Sequence, residues 1–487
     1  MFLALLVFVV GMASLGAEIA AVRLLSPYFG ASTIIWANTI GVVLVALSLG
    51  YWLGGRAADR RPRLQPLCRL ALTAAALLAL VPFVSRPLLD IGVDALDSVS
   101  AGAFIGSLLA VLVLVGIPVL LLGAVTPWAL RLAVQTVDAA GTVAGRLYAI
   151  STAGSLVGTL VSALLLIPAI GTRRTFLAFA VCLAVVAAAG LLPLRRYFAV
   201  PTAIGVLFVL PVETIKASGD GRVIHERETP YQYARVIQND DGSRRLELNE
   251  GHATHSFYRP GSVLTGDYWD AMLVLSFSGG RVPRSVAILG NAGGTTARAF
   301  RALSPATRLD PVEIDADLTE IGRRWFGLPR SLRVHHEDAR PFLRRRPDAR
   351  WDAILIDAYR QPYIPFYLVT REFFALARDH LTPGGVAVIN VGHPEGRHEL
   401  ERALAATLRA EFPHVASDRT NTTNTQLVAS RRPLQFAAAL PAALTRIAAR
   451  ERARLRPAPR GGDVYTDDRA PVEWLVDRSL LEYAATE

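Results

Sequence analysis

Apolar residues are unevenly distributed along this chain. Long, nearly uncharged runs fill the part before about residue 213, and short apolar runs broken by charges and turn residues fill the remainder. In the first part, runs at 2–22, 33–54, 67–84, 103–130, 143–169 and 175–194 each approach the ~20 apolar residues that a membrane-spanning helix requires. A seventh run, 198–213, is marginal because it carries Pro201 and Pro211. Small residues punctuate the runs, as in "GSLVGTL" from Gly154 to Leu160, where Gly154 and Gly158 let two helix backbones approach closely. The runs are therefore expected to pack as a bundle.

From about residue 222 the pattern changes to short strands. "YARVIQND" and "RRLELNE" flank the turn residues Asp240 to Gly242, a hairpin signal that predicts a small β-domain. Beyond it, "SVAILG" (285–290), "RLDPVEID" (308–315), "LRVHHED" (332–338), "WDAILID" (351–357) and "GGVAVINV" (384–391) alternate with helical stretches. That alternation predicts a parallel, doubly wound α/β sheet, with "TQLVAS" (425–430) as a further strand. The expected organisation is an N-terminal α-helical transmembrane bundle over 1–215, a small β-rich entry domain over 222–282, and an α/β doubly wound domain over 283–487.

Composition sharpens this division. The 487 residues are 52% hydrophobic with a mean hydropathy of +0.35, too apolar for a wholly soluble chain. The net charge of +10 is carried by arginine, with Lys216 the single lysine. The arginines are scattered and several flank apolar runs, which fits membrane topology better than a nucleic-acid partner. Arg56, Arg60, Arg61 and Arg63 follow the second run, whereas Asp90, Asp94 and Asp97 follow the third; the positive-inside rule puts the N-terminus in the cytoplasm. Six spans leave the C-terminal half in the cytoplasm, where cofactor supply also argues for it, and seven put it outside. Phe2 to Val22 lacks a basic leader and reads as a first helix rather than a removable signal. Cys68 and Cys182 lie in apolar runs without a disulfide or zinc spacing, so no metal is expected. Glu18, inside the first run, either has a cation or proton to handle or pairs with Arg23 or a neighbouring helix.

Ligands of doubly wound sheets bind at the carboxyl ends of the strands, so the residues there are the candidates for chemistry. The first such end is the glycine turn Gly290-Asn291-Ala292-Gly293-Gly294, whose backbone can approach a ligand closely. Glu313, 23 residues after Gly290, ends the second strand where a carboxylate can accept from both ribose hydroxyls. Asp338 can accept from an adenine amino group, cap the helix that begins near Ala339, or do both. Asp357 ends the fourth strand ahead of a loop rich in proline and tyrosine, where a reacting group would lie.

Taken together, these residues resemble the spermidine synthase family of aminopropyltransferases, relatives of S-adenosylmethionine-dependent methyltransferases, over roughly 222 to 480. "TPYQYARV" holds Tyr231-Gln232, similar to the Tyr-Gln that opens the family's substrate site, and "GDYWDAM" stands where the family has Tyr-His-Glu or Tyr-Gln-Glu. In the first half, "GAEIAAVRLLSPYFG" and "GRLYAISTAGSLVGTL" look like membrane-spanning spermidine-synthase-like proteins. The resemblance implies a methyltransferase-like Rossmann domain and a cofactor of the decarboxylated S-adenosylmethionine type. It puts Glu313 on the ribose, Asp338 and Ala339 at the adenine, and Gly290, Ala292, Gly293 and Gly294 along the tail. Tyr231, Gln232, Tyr268, Asp270, Tyr359 and Arg360 would line the amine side, with Asp357 as the base.

Two departures bear on that reading. The family carries an aspartate at the position of Ala292, and an Asp-x-x-Asp loop where this chain has Asp357-Ala358-Tyr359-Arg360. Arg360 would repel a diamine and make Asp357 a weaker base. Loss of the acid at 292 opens the site to ordinary S-adenosylmethionine, whose carboxylate can meet Arg360. Asp467 and Asp468 in "YTDDRAPVEW" either replace the missing acids or cap the last helix. The expectation is a multi-pass protein of the plasma (inner) membrane that transfers an aminopropyl group to a small-molecule amine, with homodimerisation open. Methyl transfer, or non-catalytic sensing or transport of a nucleoside or polyamine, are the alternatives.

Overall fold

The computed structural model describes residues 1–29, 33–96, 102–210, 216, 218, 220–249, 251, 253–359 and 364–476. Asp97, Arg360 and the end of the 198–213 run lie outside the described residues. The chain forms two compact units, Met1–Ala217 with Glu228–Tyr233, and Ser218–Arg227 with Ala234–Glu487.

The first unit is helical: α1 (Phe2–Phe29), α2 (Thr33–Arg60), α3 (Leu64–Leu96), α4 (Gly102–Val111), α5 (Ile117–Ala133), α6 (Ala140–Val161), α7 (Ile167–Ala189) and α8 (Ala199–Val209). Single π-type turns, Leu112–Gly116 and Ser162–Leu166, join α4 to α5 and α6 to α7. Among the described residues, five helical stretches are long and apolar enough to cross a membrane: Phe2–Tyr28, Ile35–Arg60, Leu64–Leu89, Gly106–Ala133 and Ala140–Ala189. The last is broken at Gly171, whose φ of 81° and ψ of 167° are not helical, so it consists of two helical lengths rather than one. At 11 residues, α8 is about 16 Å long against the ~30 Å of a hydrocarbon core.

Glycine sets the helix crossings. A Cβ on Gly154 or Gly158 of α6 would lie 2.1 Å from the carbonyl oxygen of Phe8 or Met12 on α1, so these backbones touch because no side chain intervenes. Ser155 Oγ and Ser162 Oγ donate to the Gly11 and Gly16 carbonyls at 3.3 and 3.1 Å. A second contact of this kind joins Gly50 and Gly54 of α2 to Leu120 and Ala124 of α5. Leu44, Val45, Leu49, Trp52, Leu160 and Leu164 are exposed, an outer face compatible with lipid rather than water. Glu18 is buried, and no hydrogen bond or ion pair joins it to Arg23 among the described residues; Arg23 donates to the Thr229 carbonyl instead.

The second unit begins with a four-stranded sheet in the order β1 (Arg222–Glu228), β2 (Tyr233–Gln238), β3 (Arg244–Leu248), β4 (Thr254–Tyr258). The β2–β3 hairpin turns at Asn239–Ser243, as the "DDG" signal predicts. Then comes α9 (Tyr268–Leu275), followed by a seven-stranded sheet built from β5 (Ser285–Leu289), β6 (Arg308–Val312), β7 (Trp351–Ile356), β8 (Leu381–Gly392), β9 (His414–Arg419), β10 (Asn424–Ser430) and β11 (Arg456–Pro457). Its order is β11-β9-β10-β8-β7-β5-β6. Three helices that follow strand ends matter for the site: α10 (Thr295–Leu303), α11 (Ala316–Trp325) and α12 (Ala339–Arg344). Both faces of the sheet are covered. On β7, Ile354 and Ile356 enter one core while Ala353 and Leu355 enter the other, which is why "WDAILI" reads as an unbroken apolar run.

Two expectations need correcting. The sheet is mixed rather than parallel, because β10 runs antiparallel to β8 and β9 antiparallel to β10. The strand expected over 332–338 reduces to one bridge, Val312 with His335. His335 N donates to the Pro311 carbonyl at 2.8 Å and Glu313 N donates to the His335 carbonyl at 2.9 Å. The ladder stops there on one side because Pro311 has no N–H to offer the residue two positions before His335.

Inserting a side chain at the α1–α6 contact tests the bundle. Gly158→Ile is expected to lower the melting temperature of the detergent-solubilised protein by several degrees, since overpacking costs about 1–3 kcal/mol. Gly145→Ala, whose new methyl meets nothing within 4 Å, is expected to leave it unchanged or raise it. Equal melting of both variants would contradict the crossing.

Candidate active site

The strand ends are held together by backbone. Asp357 N donates to the Leu289 carbonyl at 2.8 Å and Gly290 N to the Val312 carbonyl at 3.0 Å, so β5, β6 and β7 open onto one place. Gly290 has a φ of +91°, and a Cβ there would lie 2.3 Å from the Asp357 carbonyl oxygen, so only glycine fits. Ala292 takes a left-handed φ of 43°, which is uncommon for a residue with a side chain. Gly293 N donates to Ser256 Oγ at 2.8 Å, and Phe257 N to Thr295 Oγ1 at 2.9 Å, so β4 seats the glycine turn at the start of α10.

Glu313 is buried and its two oxygens do different jobs. One accepts from Ala292 N at 2.7 Å, tying the glycine turn to the end of β6, and the other from Asp315 N at 3.0 Å ahead of α11. Burial pushes its carboxyl up to about 7 against those two stabilising bonds. Asp338 caps α12 by accepting from Arg340 N at 2.9 Å, and its other oxygen accepts from Tyr367 OH at 2.6 Å. Ala339, the first residue of α12, packs its methyl into the core. Asn291 is buried as well, and both atoms of its amide lack a hydrogen-bond partner among the described residues.

Asp357 faces Tyr268 and Asn390. Tyr268 OH donates to Oδ2 at 3.2 Å and Asn390 Nδ2 to Oδ1 at 2.9 Å. Loss of solvation pushes Asp357 up to about 6 although both bonds favour the charged form. At neutral pH it is an ionised carboxylate that still has appreciable basicity, the property a general base needs. Tyr268 is reached through Asp267, which caps α9 by accepting from Tyr268 N at 2.7 Å. Burial raises the Tyr268 phenol well above the ordinary tyrosine value. Tyr359 OH is fixed to β8, donating to the Asn390 carbonyl at 3.1 Å and accepting from Gly392 N at 2.5 Å.

The remaining expected site residues have partners and surroundings of their own. Both oxygens of Asp270 accept from the Thr265–Gly266 turn, at 2.7 to 3.1 Å, which gives this acid a structural task. Tyr231 is exposed and Gln232 buried in a turn closed by Thr229 Oγ1, within the segment that belongs to the first unit. Asp467 does not replace the missing acids: it grips Arg340 with both oxygens, at 2.8 and 2.5 Å, and accepts from Thr370 Oγ1 at 2.7 Å. Asn390 and Ser256 were not anticipated from the sequence. A polar residue inside the apolar run "VAVINV" is the signal that marks Asn390.

No protein-family model matches the chain. A probable polyamine aminopropyl transferase of Bifidobacterium longum is 32% identical over 211 residues, which is 42% of this chain and 47% of the relative. A polyamine aminopropyltransferase of Vibrio vulnificus is 29% identical over 201 residues, 40% of this chain and 67% of the relative. Matches to polyamine aminopropyltransferases of this kind fall in the C-terminal part of the chain. The chain spans about half to two thirds of the length of these two relatives. Among solved structures, a probable spermidine synthase from Corynebacterium glutamicum aligns at 19% identity and a TM-score of 0.38, covering 52% of this chain and 99% of that one.

The raised Asp357 has a consequence for stability. Unfolding returns it from about 6 to the ordinary aspartate value of 3.8, so the folded state binds the proton more tightly and ionisation penalises folding. The penalty is absent below about pH 4 and complete above about pH 6. Asp357→Asn is therefore expected to melt at the same temperature as the parent at pH 4 and higher at pH 8, by thermal scans of the full chain; coincident melts at both pH values would contradict it.

Proposed function

We propose that this protein is a membrane-anchored aminopropyltransferase that uses decarboxylated S-adenosylmethionine and a small amine acceptor. The observation that carries the reading is the Tyr268–Asp357 hydrogen bond beside the glycine turn that Glu313 ties down, in a region homologous to polyamine aminopropyltransferases. Glu313 and Asp338 would hold the ribose and adenine, and the unpartnered, buried Asn291 amide fits a ligand that offers both a donor and an acceptor. When bound, the cofactor supplies a methylene beside a sulfonium, whose C–S bond breaks as the acceptor's C–N bond forms, with the electron pair leaving on sulfur.

The residues of the chain do the rest. Among the described residues, each Asp357 oxygen accepts one protein hydrogen bond and keeps lone-pair capacity for the acceptor's N–H. As the nitrogen attacks, Asp357 takes its proton, and the Tyr268 phenol, which remains protonated, holds the carboxyl in place. The apolar outer face of α2 and α6 and the five apolar stretches support anchoring in a plasma (inner) membrane. Counting the stretch broken at Gly171 as two makes six crossings, which supports a cytoplasmic C-terminal unit.

Methyl transfer from S-adenosylmethionine is the second reading, favoured by Ala292, which has no acid to select a free amine at the cofactor tail. Calorimetry of the full chain in detergent separates the two readings by which cofactor binds, and binding of neither removes both. Glu313→Ala is expected to weaken nucleoside binding at least tenfold, the scale of one hydrogen bond to a charged group. Asp357→Asn should retain binding and lose about 10²–10⁴-fold in turnover. Retained turnover in Asp357→Asn would reject this residue as the base.

A further inference from the structure

The antiparallel strand β10 brings side chains to the candidate base that a purely parallel sheet would not. Gln426 of β10 stands directly opposite Asn390 of β8 in the register, and Asn424, two residues away, shares its face. Gln426 Nε2 donates to Asn390 Oδ1 at 2.8 Å and Asn424 Nδ2 donates to the same oxygen at 3.0 Å. Asn390 Nδ2 in turn donates to Asp357 Oδ1 at 2.9 Å. Asn390 is 3% exposed and Gln426 fully buried, so water cannot substitute for either contact.

This arrangement fixes which way the Asn390 amide points. An ionised Asp357 can only accept, so the Asn390 NH₂ must face it and the Asn390 carbonyl at the other end takes the NH₂ groups of Gln426 and Asn424, with Gln426 Oε1 left unpartnered among the described residues. The reverse orientation would set NH₂ against two NH₂ groups and a carbonyl against a carboxylate. We propose that Asn390, with its amide held by Gln426 and Asn424, is a positioning residue that keeps the Asp357 carboxylate oriented and ionised, ready to take a proton from the acceptor. The device spans three strands, from β10 through β8 to the end of β7, and rests on the reading of Asp357 as the base. Among the described residues, the titratable groups that face Asp357 are the phenols of Tyr268 and Tyr359, both raised by burial, so neither ionises in the range where Asp357 does.

The test does not need turnover. In the full chain in detergent, the melting temperatures of a protein and its Asp357→Asn counterpart are compared across pH, and the midpoint at which they diverge reports the titration of Asp357. The comparison is repeated in Asn390→Leu and in Gln426→Met, the latter conserving volume. Asn390→Leu is expected to move the midpoint up by about one to two pH units, the equivalent of one hydrogen bond to a charged group. Gln426→Met should move it the same way by less, because the amide is then free to turn. The pH profile of kcat/KM with decarboxylated S-adenosylmethionine and an amine should move with it. An unchanged midpoint in either folded variant overturns the proposal, and if one variant does not fold the other decides. A shifted midpoint in a protein that turns over neither cofactor leaves the positioning role standing and removes the aminopropyltransferase reading instead.

Discussion

The site depends on one close approach, that of the β5 turn to the end of β7 at Gly290. No side chain can stand at this point, because the Asp357 carbonyl occupies the space a Cβ would need. The contact places the glycine turn and the candidate base side by side by backbone alone. Glu313 extends the same logic to β6 by accepting from the amide of Ala292. Three strand ends are thus joined by main-chain groups and one carboxylate, and the candidate base stands on that joined rim rather than on a free loop.

That rim holds its acids under tension. Glu313 and Asp357 are both raised by burial, and hydrogen bonds partly compensate each, from backbone amides in Glu313 and from Asn390 and Tyr268 in Asp357. A protein under selection for stability alone would replace such groups with neutral ones, since desolvated charges oppose folding. Asp270, Asp338 and Asp467 differ in that backbone or arginine partners satisfy them, and Arg340 holds the Asp467 carboxyl below the ordinary aspartate value. Asp357 stands apart from these three, since its printed partners are the neutral side chains of Tyr268 and Asn390.

Much of this was legible in the sequence, for identifiable reasons. "SVAILG" and "WDAILID" announce buried strands because both of their faces meet a core, and Gly154 and Gly158 announce a helix crossing by their spacing. Residues 332–338 misled because their composition permits a strand, whereas the proline across the ladder, at 311, does not. The direction of β10 was hidden because alternation carries no polarity, and with it went the Gln426–Asn390–Asp357 series, which exists only once that strand is reversed. Sequence shows the Asp270 carboxylate without showing the Thr265 and Gly266 amides from which its oxygens accept.

The left-handed backbone at Ala292 carries a consequence. Aspartate enters that region of conformational space more readily than alanine does, so restoring an acid there asks nothing new of the main chain. An acid at position 292 would therefore stand on a loop already bent to receive it.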